Sequence, residues 1–255
     1  MKDGYWSLRK YTAGPIGESI KYWIPEKKPT RSEKRLKTDI GKQKQNEHNA
    51  EKMFARLIHA NYRSGTDILL GLDYSEEGYA KMSAHSLSFL DETEEMDRIL
   101  SEAVYQIGLF LRRVKRACAA AGIPFRYLAV TSDMDGKTGE HVRVHHHLIV
   151  NAEALTVCKA KWYLGGVDYE TLWDREDQSD LAEYLMKQVR RLPDAKKYIP
   201  SRNLKRPKPK DRVAVNGSEL RVPKGAVLLY RSPYRPGLPQ YIRYVLPTKE
   251  EELRE

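Results

Sequence analysis

Val144-His145-His146-His147-Leu148-Ile149-Val150 is the stretch on which the reading of this chain turns. The apolar run that closes it, after β-branched Val142 and Val144, has the character of a buried strand, and on a strand residues i and i+2 point to the same side. His145 and His147 therefore share one face. Two imidazoles about 6–7 Å apart by strand rise and aimed the same way can hold one divalent metal and leave coordination positions for a substrate oxygen. A lone histidine is usually a satisfied core or surface residue. It is the His-x-His spacing within a hydrophobic strand that points to a metal.

Working outward, residues 125–131 (FRYLAVT) read as a second strand and 132–140 as a glycine-containing loop, so the two strands form a hairpin. Further upstream, 67–74 has the continuous apolar character of a central strand. Asp91-x-x-Glu94 opens a helix whose stripe, Met96, Leu100, Ala103, Ile107, Leu111, Val114 and Cys118, keeps helical period to the Gly122-x-Pro124 stop. An earlier helix, opened by Thr30-x-x-Glu33, gains an apolar stripe at Met53, Phe54, Leu57 and Ile58 and ends at Ser64-Gly65. Residues 166–170 suggest one more strand. Residues 180–192 form a helix with Leu181, Leu185, Val189 and Leu192 on one side and Pro193 just beyond. This order of elements argues for an α+β domain, an antiparallel sheet with helices packed on it.

The ends read as additions to that domain. Aromatic-rich 5–11 and 19–24, separated by Gly14-Pro15 and Gly17, suggest a hairpin-like arm. Beyond Pro200 the chain should be an extended basic arm, because Pro207 and Pro209 exclude a helix, and 222–231 with 240–245 could add a terminal hairpin. The expected division is an arm and the start of a helix over 1–45, the main domain over 46–200, and the basic arm with hairpin over 201–255.

A chain of 255 residues with 40% hydrophobic and 31% charged residues can bury a proper core, and it has no apolar run near the roughly 18 residues a membrane span requires. The first six residues lack the apolar core of an export signal, so the cytoplasm is the expected compartment. Two cysteines, Cys118 and Cys158, are too few for a disulfide framework or a cysteine zinc cluster. The net charge of +10 is concentrated: between Lys187 and Arg212, eleven Lys/Arg stand against two Asp, a net +9. Such a concentration is the footprint expected for a phosphate backbone. Gly136-Lys137-Thr138 lacks the glycine a triphosphate loop needs five residues earlier, where Thr131 stands, so no nucleoside triphosphate site is expected.

On the helix after the histidine strand, Tyr184 and Lys187 are three apart and hence neighbours on one face. A phenol of pKa about 10 is a poor nucleophile at neutral pH, but a nearby ammonium favours the phenolate and can steady a pentacovalent phosphate. Taken alone, Tyr184 reads as a tyrosine on the rim of a helix face. Together, His145-His146-His147 followed by Tyr184-x-x-Lys187 resembles the HUH endonucleases, in particular the rolling-circle replication initiator (Rep) proteins of phages, plasmids and their integrated relatives. Residues 127–131, 68–74 and Ser201-Arg202-Asn203-Leu204-Lys205-x-Pro207 resemble the same group, so the likeness spans about 45–212.

That resemblance implies an RRM-like palm, His145 and His147 as metal ligands, Tyr184 as nucleophile and Lys187 as its assistant. It implies Mn²⁺ or Mg²⁺ as cofactor, and nicking and rejoining of a single-stranded or hairpin origin. The expected products are a 5′-phosphotyrosine and a free 3′ hydroxyl, with a host helicase and polymerase as partners. Relatives often carry Glu directly after the Thr that ends the strand before the metal strand. Here Ser132 follows Thr131, so Asp133 is the expected third ligand, with Glu140 and His141 in reserve. Gln188 stands where two-tyrosine members place a second nucleophile, so this chain resembles the single-tyrosine type. The DNA backbone is expected to meet Arg190, Arg191, Arg202, Lys205, Arg206, Lys208 and Lys210. Conjugative relaxases place their tyrosine before the histidines, the reverse of the order here. Two other readings compete: a catalytically silent single-strand-binding or regulatory protein of the same fold, using basic and tyrosine-rich surface, and a histidine-triad phosphohydrolase, whose alternation Arg143 interrupts.

Overall fold

The computed structural model describes residues 3–26, 40–83, 92–189, 196–214 and 218–247. In chain order it contains β1 (Gly4–Ala13), β2 (Ile16–Pro25), α1 (Ile40–Asn61), β3 (Ile68–Leu72), α2 (Glu76–Ser83) and α3 (Glu92–Ala120). The hairpin strands β4 (Tyr127–Met134) and β5 (His141–Val150) follow, then α4 (Leu155–Lys161), β6 (Val167–Thr171) and α5 (Ser179–Lys187). The chain continues with β7 (Ile199–Pro200), β8 (Lys210–Val213), β9 (Val227–Arg231) and β10 (Gln240–Val245). The protein is α+β, with two antiparallel five-stranded sheets. It divides into two compact units, Tyr62–Leu204 and a second made of Met1–Asn61 with Lys205–Glu255.

In the first unit the strand order is β6-β3-β5-β4-β7. His146 stands opposite Leu72 and Thr131, and His147 opposite Gly71 and Val130. Directly opposed residues of an antiparallel pair share a face, so the alternation of β5 sorts the three histidines cleanly. Val144, His146, Leu148 and Val150 look into the main core. Val144, Leu148 and Val150 pack there with Ile107, Phe110 and Val114 of α3 and with Cys158 and Trp162 at α4. His145, His147 and Ile149 look the other way, where α5 packs against β4 and buries Leu181, Ala182, Leu185 and Met186. Leu181 and Leu185 are four apart, which puts both on the helix's inner stripe and leaves Glu183, Tyr184 and Lys187 exposed.

The second unit has the order β8-β1-β2-β10-β9. Its turn at Gly14 requires glycine: φ is +56°, and a Cβ there would sit 2.1 Å from the His59 carbonyl oxygen. On the α1 side, buried Arg56 donates to both carboxylate oxygens of Glu18 at 3.0 and 2.6 Å and lies 3.6 Å over the Tyr11 ring. Breaking such a pair from one side costs about 3–5 kcal/mol, because the survivor is left charged and dry.

The two ends of the chain depart from the expected arms. The N-terminal hairpin and the 201–255 segment are not separate arms. β8 closes the basic segment and pairs with β1, while β10 pairs with β2, so the two ends share one sheet. Lys210-Asp211-Arg212-Val213 carries no apolar alternation because it is an exposed edge strand, so nothing local announced it. The main unit accordingly runs 62–204 rather than 46–200. α2 and α4 are short helices between the larger elements. The Thr30-x-x-Glu33 box and Asp91 lie outside the described residues. No helix among the described residues is long and apolar enough to cross a membrane.

Candidate active site

His145 and His147 converge. Their Nε2 atoms are 3.0 Å apart, and the Gln188 side-chain oxygen lies 3.4 Å from the first and 3.2 Å from the second. His145 Nδ1 is 3.0 Å from the Arg143 carbonyl. A carbonyl only accepts, so Nδ1–H is the donor and the Nε2 lone pair points into the site. Burial, with a further contribution from His145, pushes the His147 imidazole down to about 4, which keeps it neutral at physiological pH.

The middle histidine does different work. His146 is fully buried, with Nε2 2.7 Å from the Tyr74 hydroxyl and Nδ1 3.0 Å from the Thr131 hydroxyl. Burial and its two histidine neighbours push it down to about 3, and burial also raises the Tyr74 phenol, so both stay neutral. A neutral imidazole donates from one nitrogen and accepts at the other, and two hydroxyls suit it whichever tautomer is present.

Tyr184 is 47% exposed and its ring centroid is 6.4 Å from that of His147. It sits one helical turn before Gln188, so nucleophile candidate and amide oxygen share the end of α5. The β4–β5 loop closes on this end of the helix: a Cβ on Gly136 would meet Gln188 Cγ at 3.2 Å and Lys187 Cβ at 3.6 Å. Asp135 Oδ1 accepts from the backbone N–H of Lys137 and Thr138 at 2.7 and 2.8 Å, which fixes the loop's course. The Lys187 ammonium is 2.6 Å from Glu183. An exposed i,i+4 pair of this kind is worth about 0.3–0.5 kcal/mol, small enough to yield to a phosphate.

Asp133 does not join the histidine pair. Ser132 stands opposite His145, so the next residue turns to the other face of the sheet. There Asp133, with Val144 and His141, lines a cavity against Met96, Ile99 and Leu100 of α3. Glu140 and His141 are exposed beyond the irregularity between Ser132 and Met134. Among the described residues no three His, Cys, Asp or Glu side chains come together as a metal group. The group that meets the two Nε2 atoms is instead Gln188, an amide, at the position where two-tyrosine relatives are expected to carry a second nucleophile.

Two imidazole nitrogens and one amide oxygen fit a divalent cation. Ligands at right angles with bonds of about 2.1 Å are separated by about 3.0 Å, the spacing of the two Nε2 atoms here. Of the expected backbone-binding residues, Arg202, Lys205, Arg206, Lys208 and Lys210 are exposed, while Arg190 and Arg191 lie outside the described residues. Arg202 is held up by its neighbours: Ser201 N–H donates to the Tyr127 carbonyl at 2.9 Å, and Asn203 donates to the Phe125 carbonyl at 3.0 Å.

Comparison of the chain with protein-family models, with curated proteins and with solved structures gives no match.

Proposed function

We propose that the protein is a rolling-circle replication initiator that nicks and rejoins single-stranded origin DNA through Tyr184. The observation that carries this reading is the convergence of His145, His147 and Gln188 on one point with an exposed tyrosine one helical turn from Gln188. In the nicking step the Tyr184 hydroxyl oxygen forms a bond to phosphorus and the bond from phosphorus to the 3′ oxygen breaks. The phenol loses its proton and the departing 3′ oxygen gains one, so a 5′-phosphotyrosine and a 3′ hydroxyl result, and a polymerase can extend the latter. The ester keeps a bond of nearly equal energy, which lets the reverse attack by a 3′ hydroxyl rejoin the strand. Lys187 moves from Glu183 to the phosphate and favours the phenolate. His145, His147 and Gln188 would hold Mn²⁺ or Mg²⁺, and the chemistry such an ion supplies when bound is polarisation of the scissile phosphate, on the order of several kcal/mol.

The direct test is incubation of the full chain with Mn²⁺ and pooled single-stranded oligonucleotides. A covalent protein–DNA band is expected, with the adduct mapped to Tyr184 by mass spectrometry; no band, or an adduct on another residue, rejects the reading. The role of Gln188 is tested apart from catalysis. In calorimetry with Mn²⁺ alone, Gln188→Ala is expected to weaken binding at least about tenfold and Gln188→Glu to restore it. Equal affinity in all three proteins would remove Gln188 from the ligand set.

A further inference from the structure

The β8-β1-β2 end of the second unit's sheet gathers cations that, among the described residues, pair with no carboxylate. Register puts Lys21 and Arg212 opposite Leu8, and Lys210 opposite Lys10, so Lys10, Lys21, Lys210 and Arg212 share the face that looks away from α1. Like charges directly opposed across strands destabilise a sheet. Lys21 is only 3% exposed, and its ammonium lies 6.0 Å from the Trp6 ring centroid. Leu220 crosses this face, packed on Leu8, Ile242 and Tyr244, and its N–H donates to the Gln240 side chain at 2.7 Å. Beside that crossing lies a cavity of about 390 Å³ whose lining includes Lys10, Ser19, Lys21, Arg212, Arg221 and a single acid, Glu219.

The acids nearby are spoken for. Asp211 is held by Arg9 on the opposite face, at 2.7 and 2.8 Å, and Glu219 is paired with Arg231. Among the described residues no carboxylate pairs with Lys10, Lys21, Lys210, Arg212 or Arg221. A buried ammonium without a counter-ion is costly, and an anion entering the cavity removes that cost. Next to the cavity stands an aromatic step: Trp6 meets Trp23 edge-on at 5.6 Å, and Trp23 is 40% exposed.

We infer that this face is a second binding site for single-stranded DNA, with a backbone phosphate in the Lys10–Lys21–Arg212–Arg221 cavity and an adjacent unpaired base stacked on Trp23. A cationic groove beside an exposed aromatic is the pairing that holds single strands without reading their sequence. The inference rests on the nicking proposal only for the class of its ligand.

The test uses the full chain in EDTA, where binding is read without strand cleavage, and measures the affinity for labelled oligo-dT by fluorescence anisotropy across salt concentrations. Arg212→Gln with Arg221→Gln is expected to weaken binding about tenfold and to lower the slope of log affinity against log salt by about 0.7, one single-strand phosphate contact. Lys21→Met, which removes the buried charge and whose fold is checked by circular dichroism, is expected to act in the same direction. Trp23→Ala should cost at least about fivefold on oligo-dT and nothing on a duplex of equal length. Competition by inorganic phosphate should displace the strand only weakly. Unchanged affinity and slope in the Arg and Lys variants overturns the inference, as does equal loss on single strand and duplex for Trp23→Ala. The covalent band at Tyr184, scored separately with Mn²⁺ at saturating oligonucleotide, reports the nicking reading, so either can fail alone.

Discussion

Tyr184→Phe is expected to abolish the covalent protein–DNA band completely while leaving the affinity for the same oligonucleotide within about twofold. The hydroxyl is the only group removed, and the ring that faces His147 at 6.4 Å remains. Surface changes of this size move free energies by about 0.5 kcal/mol or less, a factor near two. Loss of the nucleophile, in contrast, removes the bond-forming atom itself, and no other residue in α5 replaces it: Gln188, one turn on, is an amide. Denaturing gels with Mn²⁺ and anisotropy in EDTA read the two quantities independently. A band of undiminished intensity in the Phe variant would move the chemistry off Tyr184 altogether, and a protein that binds but never forms a band in either version would be the silent binding protein.

The second large effect is expected at the histidines. His145→Ala or His147→Ala should lower the single-turnover nicking rate by about 10³-fold or more, since an interaction of several kcal/mol with the transition state is lost and each 1.36 kcal/mol is tenfold. The two variants should be equally damaged, because the Nε2 atoms are 3.0 Å apart and neither can occupy the other's position. Raising Mn²⁺ to millimolar should recover part of the rate in each single variant and none in the double. Rates within tenfold of the parent, or a parent rate indifferent to EDTA, would show that the imidazoles do not hold a working ion.

The phase of the histidine strand could be read directly from its residues, since β-branched neighbours and a period of two leave little freedom. The long α3 was equally plain, its stripe running from Met96 to Cys118. What could not be read was the partner of the pair. Asp133 was chosen for its chemistry, yet one residue further along a strand means the opposite face, and Ser132 already occupied the position facing His145. Gln188 carried a usable signal, four residues beyond Tyr184 and thus on its face, but amides rarely enter a search for carboxylates. The second sheet was harder still. Its pairings join residues about 200 apart, Arg9 to Asp211 for example, and an edge strand of Lys, Asp, Arg and Val offers no hydrophobic rhythm to detect.

His146 sets a limit on how this hairpin can go wrong. Were β5 to slide one step against β3 and β4, that imidazole would leave Tyr74 and Thr131 for the helix-α5 side, and two polar rings would be driven among Phe110, Trp162 and their neighbours. Such a misaligned fold would forfeit two hydrogen bonds, one fully buried, and strand the Tyr74 hydroxyl without water. The middle histidine thus acts as an alignment key, and sequences that drift at 146 toward an aliphatic residue should keep their stability longer than they keep a single, uniform hairpin.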